Sequence, residues 1–249
     1  MIKKYINFYI ESIKLAFKYP QFILFFLVNN LVLFLNFFNL SEIWFNIIFP
    51  TATVLKLGAM GGIGYVTIRL LRSGKVPEKI FLRGVVQYYW LMLKYTFLQL
   101  FIWTITGILP LYFLRKYSVV PPFIDISWYW VMEFLFIFLI YEAIFWEDKG
   151  ISRAYRMRNI FLLDRFEWLL PVYLIVKLPY FIVRYLAFWG SHWLFSGIGI
   201  LIIYLVIACF DWVHNIFTFK IYGADRIQVA IKMEERIKAS VKRIRKKKK

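Results

Sequence analysis

Charged side chains inside apolar stretches are the residues of this sequence best placed to do chemistry. An ionisable group within a membrane span costs about 2.5–3.5 kcal/mol on insertion scales, so each one needs a partner or a function. Three cations and three acids fall at matching depths, counted at about 1.5 Å of rise per residue. They either register the helices or line a polar path, and both interpretations stay open. We predict the pairs Lys94–Glu142, Lys177–Asp211 and Lys56–Glu133.

One histidine lies close to these charges. Asp211 and His214 are three residues apart, which places them on one helix face and could supply two metal ligands. The chain has only two histidines, however, and His192 falls in a predicted loop. We therefore predict that His214 belongs to a polar network, and that the chain holds no metal and no cofactor.

A glycine cluster lies within the second apolar stretch. Gly58 and Gly62 form a small-xxx-small pair, with Gly61 between them. Small residues allow two helices to approach closely in lipid, where packing rather than hydrophobicity drives association. We predict a helix-packing contact within the chain, with a dimer face as the alternative.

Motifs of known enzymes are missing from the sequence. It has no nucleophile elbow, no phosphate-binding loop and no His-Glu-x-x-His zinc motif. This absence favours a non-enzymatic protein.

The elements that must position these residues are long apolar blocks. The chain is 61% hydrophobic, against about 45–50% apolar residues in soluble domains. The excess comes in blocks of about 20 residues or more, long enough to cross about 30 Å of hydrocarbon. We predict six spans: Gln21–Leu40, Ile48–Leu71, Tyr88–Phe113, Phe123–Trp146, Glu167–Trp189 and Trp193–Phe219.

Positive charge alternates between the loops. Of the 32 Lys and Arg residues, four precede the first span, five lie in each of the regions Arg69–Arg83 and Glu147–Arg165, and twelve lie in Lys220–Lys249. The opposite loops hold only Arg115 and Lys116. Because cytoplasmic loops carry the excess of basic residues, this pattern predicts a cell-membrane protein with both termini in the cytoplasm.

Each predicted hairpin begins with an amphipathic segment. Apolar residues recur at helical spacing in residues 1–19, Ile80–Tyr89 and Ile151–Phe166, with basic residues between them. Turn-like tetrapeptides follow the even spans, at Arg72–Lys75, Glu147–Gly150 and Tyr222–Asp225. The predicted fold is therefore all-α and polytopic, with six transmembrane helices in three hairpins, each preceded by a cytoplasmic amphipathic helix.

The chain divides into a membrane domain, residues 1–225, and a basic cytoplasmic tail, residues 226–249. Clustered basic residues attract anionic headgroups by about 1 kcal/mol per charge, and they attract RNA phosphates without reading sequence. A solvated tail that only fixes the topology is the alternative. The residues predicted to bind headgroups are Lys242, Arg243, Arg245, Lys246, Lys247, Lys248 and Lys249.

One stretch resembles a known family. The residues Glu147-Asp-Lys-Gly-Ile-Ser-Arg-Ala-Tyr-Arg-Met-Arg158 follow the fourth span. They resemble the acidic-x-Gly, Ala, then Arg/Ser pattern of uncharacterised six-helix membrane domains related to the membrane domain of glycerophosphodiester phosphodiesterases. The resemblance implies about six helices with amphipathic elbows. It implies no hydrolase activity, because the catalytic barrel is absent from this sequence.

Three functions follow as hypotheses, of which the least favoured is an intramembrane enzyme that acts on lipids, with Glu133, Glu142 or Asp211 as acid or base. The first is a non-enzymatic integral membrane protein that binds anionic lipid or organises the membrane. The second is a small transporter, or the membrane subunit of a transport complex, with a polar site between hairpins. The sequence names no substrate, protein partner or oligomeric state.

Overall fold

A computed structural model describes residues 2–29, 42–117, 134, 141, 142, 144, 151–189 and 197–247. Regular secondary structure in these residues is helical throughout, so the predicted all-α class is confirmed for this part of the chain. The α-helices, numbered in chain order, are α1 (Ile2–Lys18), α2 (Ile23–Asn29), α3 (Glu42–Ser73), α4 (Ile80–Trp103), α5 (Leu109–Tyr117), α6 (Ile151–Trp189) and α7 (Gly197–Lys247).

Among the described residues, three helical stretches are long and apolar enough to cross a membrane: Val54–Ser73, Ile80–Leu114 and Ile202–Val229. They overlap the predicted second, third and sixth spans. The predicted fifth span lies within α6, and the first and fourth fall mostly outside the described residues. The number of spans and the side on which each terminus lies stay predictions.

The predicted amphipathic segments differ in how they end. Helix α1 stops at Lys18, and a 3-10 turn, Pro20–Phe22, separates it from α2. The segments Ile80–Tyr89 and Ile151–Phe166 instead run without a break into the apolar parts of α4 and α6. The reason is local, because proline breaks a helix. Pro20 directly follows the first segment, whereas no proline directly follows the other two.

Two of the predicted turns can be compared with the backbone. Helix α3 ends at Ser73, and Gly74 has a φ of 67°, so the turn predicted at Arg72–Lys75 is confirmed. The turn predicted at Tyr222–Asp225 is wrong, since α7 continues through it as far as Lys247. Gly223 is a weak helix former, but its neighbours pack on α1 and α6 and hold this turn helical. The turn predicted at Glu147–Gly150 lies outside the described residues.

Helices α3 and α4 cross at a glycine-lined contact. A Cβ atom added to Gly61 would lie 3.2 Å from the carbonyl oxygen of Gly84, and one added to Gly62 would lie 2.4 Å from the ring of Phe81. Gly58 faces Val85 at 3.3 Å in the same way. The predicted glycine cluster therefore lies against α4 of the same chain.

The connection between α4 and α5 departs from α-helical geometry. Residues Thr104–Ile108 form a π-helical turn just before Pro110. Proline has no N–H to donate and its ring clashes with the carbonyl four residues earlier, and a wider turn relieves both problems. The Thr106 hydroxyl donates to the carbonyl of Ile102 at 2.8 Å.

Helix α7 lies at the centre of the described structure. It contacts α1, α2, α3 and α6. Its Trp212 is fully buried and packs against Phe22 and Phe26, which follow α1 in the chain. On its other side, Tyr222 meets Phe161 of α6 edge to face, with ring centroids 4.8 Å apart. The charged residues of α7 are therefore placed among several helices at once.

Candidate functional site

A buried ion pair joins α7 to the residues that precede α6. Arg226 Nε lies 2.7 Å from Glu142 Oε2, and its Nη2 donates to Glu142 Oε1. The hydroxyl oxygen of Tyr222, one turn earlier on α7, lies 3.1 Å from the same Nε. Glu142 is fully buried, so the guanidinium replaces the water that the carboxylate has lost. The planar fork of arginine matches both carboxylate oxygens, as a lysine could not.

This partner of Glu142 differs from the predicted one. Lys94 lies on the exposed face of α4. Depth along a span was the basis for pairing Lys94 with Glu142, but depth does not determine which way a helix faces. Arg226 is one residue beyond the predicted membrane domain and was therefore not considered as a partner.

A second polar cluster joins α1 to α7 through Asp225. Lys4 Nζ lies 2.5 Å from Asp225 Oδ1, and the Tyr5 hydroxyl donates to Asp225 Oδ2 at 2.7 Å. Burial, and after it the hydrogen bond to the Asp225 carboxylate, raises the pKa of the Tyr5 hydroxyl above its usual value. A third contact, from Lys220 to Glu11, joins the same two helices. The amino-terminal helix is therefore held to α7 by charge as well as by packing.

A small, mostly apolar cavity lies between α6 and α7. Lys177, His214 and Thr218 line it together with apolar residues, and it holds about 20 Å³ of space for the centre of a water molecule. The carbonyl of Val176 can only accept, so His214 donates to it from Nε2 at 2.9 Å. The cavity is the size of one water molecule.

The other predicted in-span charges are placed as follows. Lys177 is buried, with its Nζ 6.0 Å from the ring centroid of Tyr173. Asp211 is half-buried and lies one turn before His214 on α7. The pair Lys177–Asp211 stays a prediction. Lys56 is half-buried on α3, and its predicted partner Glu133 lies outside the described residues.

An amide completes the polar network around α7. Asn215 Nδ2 donates to the hydroxyl of Thr67 on α3 at 2.7 Å. The Tyr141 hydroxyl reaches Asn215 Oδ1 at 3.5 Å, the outer limit for a hydrogen bond. With His214 and the Glu142–Arg226 pair, these contacts give α7 polar links to most of its neighbours. Such links register helices where apolar packing alone would allow them to slide.

Helix α1 has three distinct faces. One face, with Tyr5, Ser12 and Ala16, is buried against the rest of the chain. An adjacent face leaves large apolar side chains exposed, and the next face carries exposed lysines. The exposed apolar residues are Ile6, Ile10 and Phe17, and the lysines are Lys3, Lys14 and Lys18.

The predicted headgroup-binding residues belong to the end of α7. The helix continues through Lys247, so Lys242, Arg243, Arg245, Lys246 and Lys247 are helical. Lys248 and Lys249 lie outside the described residues. Closer to the apolar segment, Lys232 Nζ lies 2.8 Å from Asp164 Oδ1 of α6. The first part of the predicted tail is thus a helix that packs on α6.

In comparisons with known proteins, no family model, no curated protein and no solved structure matches the chain. The resemblance to the membrane domains related to glycerophosphodiester phosphodiesterases stays a prediction. The function must therefore be argued from the geometry alone.

Sequence reasoning missed several residues of these clusters. Asp225 and Arg226 were assigned to a turn and a tail, and Tyr5 and Gly84 were not singled out. The spacing of Tyr222 and Arg226, four residues apart, was a signal for one helical face. Gly84 gave a signal too, as a small residue opposite the predicted glycine cluster, but its partner helix could not be identified without the fold.

Proposed function

We propose that this chain is a multi-pass protein of the cell membrane that binds anionic phospholipid at its cytoplasmic surface and has no catalytic role. In this proposal the chain crosses the membrane six times, in three hairpins, with both termini in the cytoplasm. The charge alternation of the loops supports this topology, and the three long apolar helices support the membrane location.

The observation that carries the proposal is the outer surface of α1. The helix is already packed on one side, yet Phe17 remains 76% exposed and Ile6 54% exposed. Exposing that apolar stripe to water is unfavourable, whereas burying it at the boundary between headgroups and acyl chains is favourable. The neighbouring lysines would then lie at the level of the phosphates, which is the arrangement of interfacial helices.

The basic end of α7 has a secondary place in this proposal. Helix α7 extends eighteen residues beyond Val229, about 27 Å at the usual rise, before it reaches Lys247. Screening at physiological salt limits charge interactions to about 8 Å. If α7 is perpendicular to the membrane, its last lysines therefore lie too far from the headgroups to interact with them. The lysines of α1 would lie at the headgroup level. Lipid binding by Lys242–Lys249 stays a prediction that requires α7 to lean.

The experiment measures which lipids copurify with the protein. The full chain is purified in mild detergent, and the ratio of anionic to zwitterionic phospholipid is compared with that of the source membrane. We expect enrichment of anionic lipid, and its loss in the variant Lys3→Gln/Lys14→Gln/Lys18→Gln. The matched control Lys3→Arg/Lys14→Arg/Lys18→Arg keeps the charge and should keep the enrichment. A wild-type ratio equal to that of the source membrane would refute the proposal.

The transport alternative has less support in the described residues. Its polar site would be the cavity beside Lys177 and His214, which is the size of one water molecule. A solute path needs several such volumes in series. Lipid binding therefore remains the function that the geometry supports best.

A further inference from the structure

An open groove lies along the first two turns of α4. It is shallow and open to solvent, and is lined by Lys79, Leu82, Arg83, Val86 and Gln87. The polar members recur every four residues, and so do the apolar ones, so the two kinds form adjacent stripes on one side of the helix. A ligand in this groove would meet cationic and amide groups along one edge and aliphatic groups along the other.

The apolar stripe continues far beyond the groove. Val86 is 80% exposed, and Trp90, Phe97 and Phe101 are each about two-thirds exposed. From Leu82 to Phe101 this uncovered band measures about 29 Å at the usual helical rise, close to the thickness of a bilayer's hydrocarbon core. An acyl chain that starts in the groove would therefore find mostly apolar surface, with the exposed Lys94 beside it.

The loop before α4 and the first turn of α4 lie beside the end of the amphipathic α1. The Tyr19 hydroxyl, just after α1, donates to the Gly74 carbonyl in the α3–α4 loop at 3.0 Å. Phe25 stacks on Phe81 in the first turn of α4, with ring centroids 3.8 Å apart. These contacts place the end of α1 and the start of α4 at one end of the described structure, and Phe81 lies on the side of α4 opposite the groove.

The charge around the groove has one sign. Between residues 72 and 90 the basic residues are Arg72, Lys75, Lys79 and Arg83, and the one acidic residue is Glu78. A phosphodiester carries one negative charge and accepts hydrogen bonds, so arginine and lysine are its usual protein partners. This complementarity favours a phospholipid over a neutral lipid as the occupant.

We propose that this groove binds a single phospholipid. Lys79 and Arg83 hold its phosphodiester, Gln87 donates to its ester or glycerol oxygens, and an acyl chain lies against Leu82, Val86 and Trp90. The site rests on the proposed lipid-binding function and deepens it, because it turns a general preference of the surface into one defined position.

The test counts bound lipid on the full chain. Detergent-purified protein is stripped of lipid and titrated with phosphatidylglycerol, and native mass spectrometry measures the occupancy of the first lipid. At about 1 kcal/mol per charge, Lys79→Gln/Arg83→Gln should weaken that first binding step about 30-fold. The control Arg72→Gln/Lys75→Gln removes the same charge from the end of α3 and the adjoining loop, and should change the first binding step less than about threefold. A second variant, Val86→Asp, keeps both cations but places a carboxylate in the groove, and it should also lower the occupancy.

Other results would overturn the site. Equal weakening in the two double variants would show attraction by net charge alone. Displacement of the lipid by inorganic phosphate at a similar concentration would show a free-phosphate site. Unchanged occupancy in Lys79→Gln/Arg83→Gln, with enrichment still lost in the α1 lysine variant, would remove the groove and leave the proposed function standing. If the wild-type protein shows no anionic enrichment while Lys79→Gln/Arg83→Gln still weakens binding of the first lipid, the groove stands and the proposed function falls.

Discussion

Arg226 and Glu142 are 84 residues apart in sequence and form a two-pronged ion pair in the buried interior. Both residues are buried, so water would poorly replace either partner and the pair should behave as a unit. Removing one partner leaves an uncompensated buried charge, which typically costs about 3–5 kcal/mol.

The first prediction follows from this pair. Arg226→Met alone should lower the melting temperature of the detergent-purified protein sharply, because it leaves the Glu142 carboxylate buried without its guanidinium partner. The double variant Glu142→Leu/Arg226→Met should recover most of the lost stability, because well-packed apolar groups can replace a buried pair at little cost. A double variant as unstable as the sum of the two single variants would show that the residues do not act together.

The second prediction concerns the crossing of α3 and α4. A Cβ atom at Gly84 would lie 2.7 Å from Tyr65 Cβ and 3.1 Å from the Gly62 Cα, and neither neighbour can move without shifting a helix. Gly84→Ala should therefore destabilise the protein by about 1–3 kcal/mol, the usual cost of overpacking. The matched control is Gly58→Ala, where the nearest atom is the end of the Val85 side chain at 3.3 Å. Thermal unfolding of the two variants side by side measures the difference, and equal stability would contradict the close approach at Gly84.

The third prediction is a pH dependence that arises from Tyr5. Its pKa is raised above the usual 10.0, chiefly by burial, so the folded chain holds this proton more tightly than the unfolded chain does. The stability that it contributes is complete below about pH 10 and is lost as the pH rises through the folded pKa. Melting temperatures measured on both sides of pH 10 should fall more steeply for the wild type than for Tyr5→Phe. Parallel curves would mean that Tyr5 does not titrate in this range.

The fourth prediction tests the proposed topology. Cys209 is the only cysteine in the sequence, so Cys209→Ala provides a background free of thiols. In that background, Lys75→Cys should react with a membrane-impermeant maleimide only in inverted vesicles, and Lys116→Cys only in intact cells. Positive charge decides this orientation, and Lys75 lies in a basic loop. Labelling of both positions from the same side would overturn the six-span arrangement.

Composition and periodicity predicted the helical class because apolar blocks of this length leave few other choices in a membrane. The same reasoning found the break after α1, where Pro20 interrupts the helix. It failed at Tyr222–Asp225, where a glycine suggested a turn. Local propensity is weak evidence there, since packing of Tyr222 against Phe161 outweighs it.

The candidate sites were harder to predict for a different reason. The sequence identifies which residues are expensive to bury, such as Glu142, but not which helix faces them. Partner choice depends on the rotation of each helix about its own axis, and that is set by long-range packing. The glycines were easier, because small residues in an apolar stretch favour close helix packing, and Gly61 and Gly62 do lie against α4.

The length and continuity of α7 would allow it to act as a lever. Its 51 residues extend for about 76 Å without a break, more than twice the thickness of a bilayer core. Arg226 is clasped by Glu142 between the apolar half of this rod and its basic end. If α7 crosses the bilayer as proposed, a sideways pull on the lysines at its end would pivot the rod about that clasp and displace Gly197 in the opposite direction. Distances from a spin label at each end of α7 to a label on α3 would record such a movement across the membrane, with no loop required to rearrange.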